Sequence, residues 1–310
     1  MSQLNEKSIL GDKSEVIKAG SHLTSQYDDL RGDQVNMCIL FVHTNPNPER
    51  GDYRLIVATN RDEHYERPAA DAFWCDEGLL GEIWNPPGKG ACGAVSPKNQ
   101  RGENGEKKCC VGVLLNLTGD RVEHGGPRGG IVKDYLKTPQ DFWQYTKILD
   151  KTKYSGYNVV GIELSKHEAN VFHHSNMPKI SSVYSGSQTL GFGNSPIYSP
   201  LTKVRDGRLR FEEIVEQCLE PDDLVEELLK LLKDKTSHLP DPELEKRSPL
   251  GYTVLSSIFV KAESLKYGTR THTVILVDHE WQLHYIEHTL EQPIDIENPK
   301  WNVKHFQSSL

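Results

Sequence analysis

Apolar residues along this chain fall in short runs separated by turn-forming clusters, and the run lengths point first to strands. Met37-Cys38 opens the run Ile39-Leu40-Phe41-Val42, and Asn60-Arg61-Asp62-Glu63 closes the run Leu55-Ile56-Val57-Ala58. Between them Thr44 to Asp52 supplies Asn, Pro, Gly and Asp, which predicts an antiparallel loop hairpin. Symmetry about Pro48 then sets Cys38 against Thr59 and Asn60. Ala91 to Val95 and Cys110 to Leu115, either side of an exposed loop from Pro97 to Lys108, predict a second hairpin.

Helical spacing appears at Ile131, Tyr135, Phe142, Tyr145 and Ile148, interrupted at Thr138-Pro139, which predicts two short helices. Strand patterns return at Tyr157 to Leu164, Asn170 to His174 and Thr189 to Gly193. Leu209 to Leu219 and Leu224 to Leu232 read as helices, with Pro221-Asp222-Asp223 as the start signal of the second. Thr271 to Val277 and Leu283 to Ile286 form a last hairpin across Asp278-His279-Glu280. Strands, then helices, then strands again indicate an α+β fold with mainly antiparallel sheets. The first strand is apolar on both faces, so it needs cover on both sides, as in two packed sheets with helices outside.

Residues 1–36 are polar with scattered apolar positions and read as a disordered leader before a single domain from 37 to 310. The leader lacks the apolar core of a secretory signal, and Glu6, Asp12, Glu15, Asp28 and Asp29 argue against a mitochondrial presequence. No apolar stretch approaches the roughly 20 residues of a transmembrane helix, so a cytoplasmic, non-secreted protein is expected. The sequon Asn116-Leu117-Thr118 is then expected to stay unmodified. A net charge of −8 without a Lys/Arg-rich block argues against nucleic acid and anionic membrane partners. Six cysteines without paired spacing suggest reduced thiols.

The chemistry concentrates at Cys38, where the hairpin brings a thiol beside an amide, a guanidinium and two carboxylates. Were Cys38 an amino terminus, its α-amine could take the thiol proton, making one residue both nucleophile and base. Asp62 would orient the ammonium, Arg61 would favour the thiolate, and Asn116 and Asn194, each at a strand end, would offer oxyanion-stabilising amides. The competing reading makes Cys38 a small buried apolar residue and Asn60 to Glu63 a polar turn. No metal-ligand spacing such as His-Glu-x-x-His or Cys-x-x-Cys occurs. His173 and His174 are adjacent on a strand and face opposite ways, which leaves His43 and His64, near the Cys38 hairpin, as the imidazoles of interest.

Met37-Cys38-Ile39, Ala58 to Glu63 with Tyr65 and Arg67-Pro68, Tyr157-Asn158, and Tyr267 to Thr271 together resemble the transport and Golgi organization protein 2 family, also called NRDE proteins. The resemblance runs from Met37 to about Glu287. It implies a four-layer αββα sandwich similar to N-terminal nucleophile hydrolases, and intracellular haem trafficking, Golgi organisation and mitochondrial lipid homeostasis. On the related cysteine amidohydrolases it carries Cys38 to the nucleophile, Asp62 to its partner, Asn116 and Asn194 to the amides and Arg270 to a late arginine. Those roles depend on a free Cys38 amine. The reading placed first is therefore a carrier, located in the cytoplasm near mitochondria or Golgi. Haem or another small molecule would be its cargo, haemoproteins its acceptors, and it would have no catalytic cofactor. Asn60, Arg61, Glu63, His64 and His43 would line the pocket. The alternatives are a cysteine amidohydrolase and a Golgi organisation factor.

Overall fold

A computed structural model describes residues 37–75, 78–81, 93–96, 109–120, 122, 125–126, 128–149, 154–217 and 220–310. The leader, Ala91-Cys92 and the loop from Pro97 to Lys108 lie outside the described residues. The strands and helices run β1 (Cys38–Thr44), β2 (Tyr53–His64), β3 (Phe73–Trp74), β4 (Leu80–Gly81), β5 (Gly93–Ser96), β6 (Cys109–Asn116), α1 (Ile131–Lys137), α2 (Phe142–Leu149), β7 (Tyr157–Leu164) and β8 (Ala169–Asn176). They continue with β9 (Lys179–Ser185), β10 (Gln188–Phe192), α3 (Thr202–Glu216), α4 (Pro221–Leu232), α5 (Pro242–Arg247), β11 (Lys261–Ala262), β12 (Tyr267–Asp278), β13 (Gln282–Leu290) and β14 (Trp301–Ser309).

Among the described residues these strands form two antiparallel sheets. One has the order β10-β1-β2-β12-β13-β14 with β11 on β12, and the other runs β3-β4-β5-β6-β7-β8-β9. Alternation along β1 explains the layers. Ile39 and Phe41 pack on one side with Phe211, Leu228 and Leu244 of α3 to α5. Leu40 and Val42 pack on the other side with Val111, Val113 and Val160 of the second sheet. Leu114 and Val159 then turn outward to Ile131, Val132 and Phe142 of α1 and α2. Three apolar seams thus join helices, sheet, sheet and helices, the αββα order expected from a strand apolar on both faces. Among the described residues Cys38, Cys75, Cys109 and Cys110 are reduced thiols.

Several boundaries differ from the sequence reading. The first hairpin closes on a turn in which the Asp52 amide donates to the Glu49 carbonyl and Gly51 takes φ +96. The apex therefore lies past Pro48, and Cys38 pairs with Arg61 in place of Thr59 or Asn60. Asn60 to Glu63 do not form a turn: β2 continues through them to His64. The helix expected from Leu209 begins at Thr202 instead, because Lys203 and Gly207 hold core-facing positions that apolar periodicity does not mark. At Gly207 a Cβ would lie 2.5 Å from Cζ of Phe41, so glycine lets α3 lie directly on β1. Strands β9 and β14 were not anticipated. Both edge strands alternate between exposed and half-buried positions and carry few apolar residues.

Two buried asparagines fasten loops to the sheets in the same way. Asn60 Nδ2 donates to the carbonyls of Leu232 and Ile258, at 2.8 and 3.0 Å, and Asn158 Nδ2 to those of Gly193 and Ser195, at 2.9 and 3.0 Å. Each amide oxygen is left as an acceptor, so its neighbour must be the donor: His272 Nδ1 at 2.7 Å and His173 Nε2 at 3.1 Å. The second ring nitrogen of each histidine is an unprotonated, buried lone pair. Burial lowers His173 from 6.5 to about 4, helped by His174, and lowers His272 to about 3, helped by Lys233 and His288.

The unfolded chain protonates both imidazoles below about pH 6.5, whereas the folded chain does so only near 4 and 3. Between these limits the unfolded state holds more protons, so stability falls on acidification by on the order of 1.4 kcal/mol per unit for each ring. Asp62, whose carboxyl burial pushes upward, acts in the opposite sense and offsets one of the two. Thermal melts between pH 7 and 4 should show a melting temperature that drops with pH. The profile should be flatter in His173→Gln with His272→Asn, which keep the donated hydrogen without the titration. An unchanged slope in that double variant would contradict the assignment.

Candidate functional site

The residues of interest gather where β1 begins and β2 ends. Cys38 is 5% exposed and shares the inter-sheet face with Leu40 and Val42. Arg61, its partner across the ladder, projects to the same side and lines a cavity with Thr59, Ala94, Val113, Thr273 and Tyr285. That cavity has a volume of about 30 Å³, room for roughly two waters. Glu63 follows on the same face, with Oε2 2.5 Å from Nη1 of Arg67 and 3.8 Å from Nη2 of Arg61, while Oε1 accepts the His64 amide at 3.0 Å. Burial of Glu63 is thus accompanied by two guanidinium partners.

Asp62 lies between these residues in sequence and therefore turns to the helical face. Its Oδ1 accepts Thr269 Oγ1 at 2.6 Å, and the same Oγ1 accepts the Val260 amide at 2.9 Å. Near it on α3 the fully buried Lys203 ammonium donates to the carbonyls of Leu255 and Ser257, both at 2.9 Å. Burial raises the Asp62 carboxyl, against the pull of Lys203 and the Thr269 hydroxyl. Burial lowers the Lys203 ammonium, against the fields of Asp62, Cys38 and Asp241. The sheet thus puts the Cys38 thiol and the Asp62 carboxyl on opposite faces, and the fields of both act on Lys203.

Asn194 makes the direct connection to Cys38. Its Oδ1 accepts the Cys38 amide at 2.6 Å, and its Nδ2 donates to the main-chain carbonyl of Asn116 at 2.6 Å. The side chain of Asn116 shares its face with Tyr157, in the seam toward α1 and α2, so Asn116 reaches this network through its backbone. Met37 is wholly buried: its amide donates to Tyr267 Oη at 2.6 Å and its sulfur accepts Thr118 Oγ1 at 3.3 Å. Burial, with Asp62, Cys38 and Glu63 nearby, pushes the Tyr267 phenol far above its ordinary value.

The remaining candidates divide. Arg270 sits at the bulge between Thr269 and Thr271, and its Nη1 donates to the carbonyls of His64 and Arg67, fixing the turn after β2. His64 ends β2 at this rim, its ring edge-on to Tyr267 at 5.1 Å. Asn60 is committed to its clamp. His43 stands roughly 17 Å along β1 from Cys38, at about 3.3 Å per residue, and bonds Thr189. As expected, His173 and His174 diverge, one stacked on Phe192 and the other beside Tyr157. Sequence reasoning missed Lys203 as a site residue. Its signal was a lysine in the stripe it forms with Gly207, Phe211 and Ile214.

On the inter-sheet face the Cys38 thiol stands across the ladder from the Arg61 guanidinium, while His64 follows Asn60 and Asp62 onto the helical face, against Tyr267. With Met37 attached, the nitrogen of Cys38 is an amide donor whose lone pair is delocalised into the Met37 carbonyl and does not take up a proton. Among the described residues no three His, Cys, Asp or Glu side chains converge on a metal position, and no helix is long and apolar enough to cross a membrane.

Comparison with known proteins gives the same assignment as these motifs. The family model described as Transport and Golgi organisation 2 matches residues 37–292. Transport and Golgi organization protein 2 of Drosophila melanogaster is 36% identical over 286 residues, covering 88% of this chain and 99% of that protein. The Mus musculus homolog is 30% identical over 288 residues, and the Homo sapiens homolog 29% over 285, with the same coverage in each case. Matched over most of its length, this chain belongs to the Transport and Golgi organisation 2 family.

Proposed function

We propose that the protein is a carrier that binds haem and passes it to acceptor haemoproteins. The observation that carries a binding role over an enzymatic one is the junction Met37-Cys38. Met37 fills a buried position, and the Cys38 nitrogen is an amide already bonded to Asn194. That nitrogen cannot serve as the base of an N-terminal nucleophile, while the groups around it remain suited to holding a ligand. Haem as the cargo rests on the family resemblance.

The cavity lined by Arg61, Thr59, Thr273 and Tyr285 is about 30 Å³. Sites that enclose a ligand run to roughly 300 Å³ or more, so that cavity is too small for haem, and in this reading the cargo rests against the rim. There His64 offers an imidazole, and Arg67, half-buried and paired with Glu63, a guanidinium suited to a carboxylate. Shallow seating favours release, which a carrier needs. In this reading the protein works in the cytoplasm, near mitochondrial or Golgi membranes. The names of the relatives, which speak of transport and Golgi organization, support a role in transport or at the Golgi.

Haemin added to the purified protein should give a shifted Soret band that saturates near one equivalent and moves to apomyoglobin on mixing. His64→Ala and Arg67→Ala should each weaken binding by about tenfold, the equivalent of a contact worth near 1.4 kcal/mol. No spectral change at micromolar haemin would reject the carrier reading.

A second reading, a cysteine amidohydrolase, is favoured by the Asn194 amide on Cys38 and the buried Asp62, Thr269 and Lys203 beneath it. Protein beginning at Cys38 should then be labelled by an electrophilic analogue of an amide substrate, and Cys38→Ala should not. Equal labelling of both proteins would exclude it.

A further inference from the structure

The far edge of the first sheet carries a group of side chains that the carrier reading leaves unused. His284 on β13 lies directly across from Gln307 on β14, and His305 is two residues from Gln307 on the same strand face. Leu283, Tyr285 and Phe306 point into the inter-sheet seam, so these three point away from it, and among the described residues no strand pairs beyond β14. His305 and Gln307 are exposed, and His284 is half-buried.

Three polar atoms meet there. His284 Nδ1 is 3.2 Å from His305 Nε2, and the Gln307 amide terminus is 3.4 Å from the first and 3.5 Å from the second. As hydrogen bonds the last two are long, beyond the usual 2.7–3.2 Å or so. As the face of a coordination polyhedron all three fit. A tetrahedral ion with nitrogen or oxygen ligands at about 2.0–2.1 Å has ligand-to-ligand edges of about 3.3–3.4 Å. A half-turn of the Gln307 amide exchanges its nitrogen for an oxygen, the atom that can ligate.

We infer that His284, His305 and Gln307 form a surface site for a borderline divalent transition metal, of which zinc is the natural example. Two imidazoles are donors such ions favour, the amide oxygen is a weaker third donor, and water would complete a fourth, open position. Two hydrogen-bonded strands hold the ligands, so little ordering is left for the metal to impose. The bound ion would join β14 to β13 and protect an edge that backbone pairing secures on one side only.

Calorimetric titration of metal-free protein with zinc chloride tests this directly. The full chain should bind one equivalent that His284→Ala and His305→Ala each weaken by at least about tenfold, and Gln307→Ala by a few-fold. Zinc should also raise the melting temperature of the wild type and leave that of the double histidine variant unchanged. Melting in the presence of a chelator, where wild type and variant should coincide, shows that the variant folds. Zinc binding of equal affinity and stoichiometry in the wild type and the double variant would overturn the site. So would an absence of binding at 100-micromolar zinc, a concentration of about ten times a typical exposed-site Kd near 10 µM.

Discussion

A strand buried on both faces has no water within reach of its side chains, and most of this architecture follows from that constraint on β1 and β2. Alternate residues must find apolar cover in two directions, which requires a second sheet on one side and helices on the other. Gly207 and the stacked rings of Phe41 and Phe211, 5.7 Å apart, show how closely the helical cover is laid. Polar residues in these strands must then meet protein partners. Asn60, Asp62 and Glu63 each do so, with two carbonyls and an imidazole, a threonine hydroxyl, and two arginines respectively.

The same constraint shapes the candidate site. Because side chains alternate, the four consecutive residues Asn60 to Glu63 serve two surfaces: Arg61 and Glu63 face the inter-sheet space with Cys38, and Asn60 and Asp62 face the helices. A slip of one residue would exchange the two sets. The Asn194 bridge, from the Cys38 amide to the Asn116 carbonyl, ties the start of β1 to the end of β6 and so joins the two sheets at this end. Met37 completes the closure from below. Arg67 and His64 stand at the rim of that closure, and the inferred metal site stands where the layering ends, on β14.

Much of the fold was legible in the sequence. The first hairpin, the paired short helices interrupted at Thr138-Pro139, the proline-started α4 and the last hairpin all carry local signals, since turn chemistry and apolar period act over a few residues. The edge strands β9 and β14 carry no such signal. One face of an edge strand needs little burial, and backbone pairing alone can hold it. Helix α3 was legible only in part, because a lysine and a glycine occupy places in its buried stripe.

Within the site, the sequence by itself determined which residue types meet: a thiol, an amide, a guanidinium and carboxylates at neighbouring strand ends. It also determined that the first strand must be covered twice, because its apolar content admits no other arrangement. The tertiary structure alone decided the register that pairs Cys38 with Arg61 and sends Asp62 to the opposite face. It decided too that Asn116 contributes its backbone, that Arg270 holds a turn, and that Lys203 lies beneath the strand end. These outcomes depend on where a loop apex falls and on contacts between residues far apart in the chain. Local sequence constrains such contacts weakly, and packing selects among them.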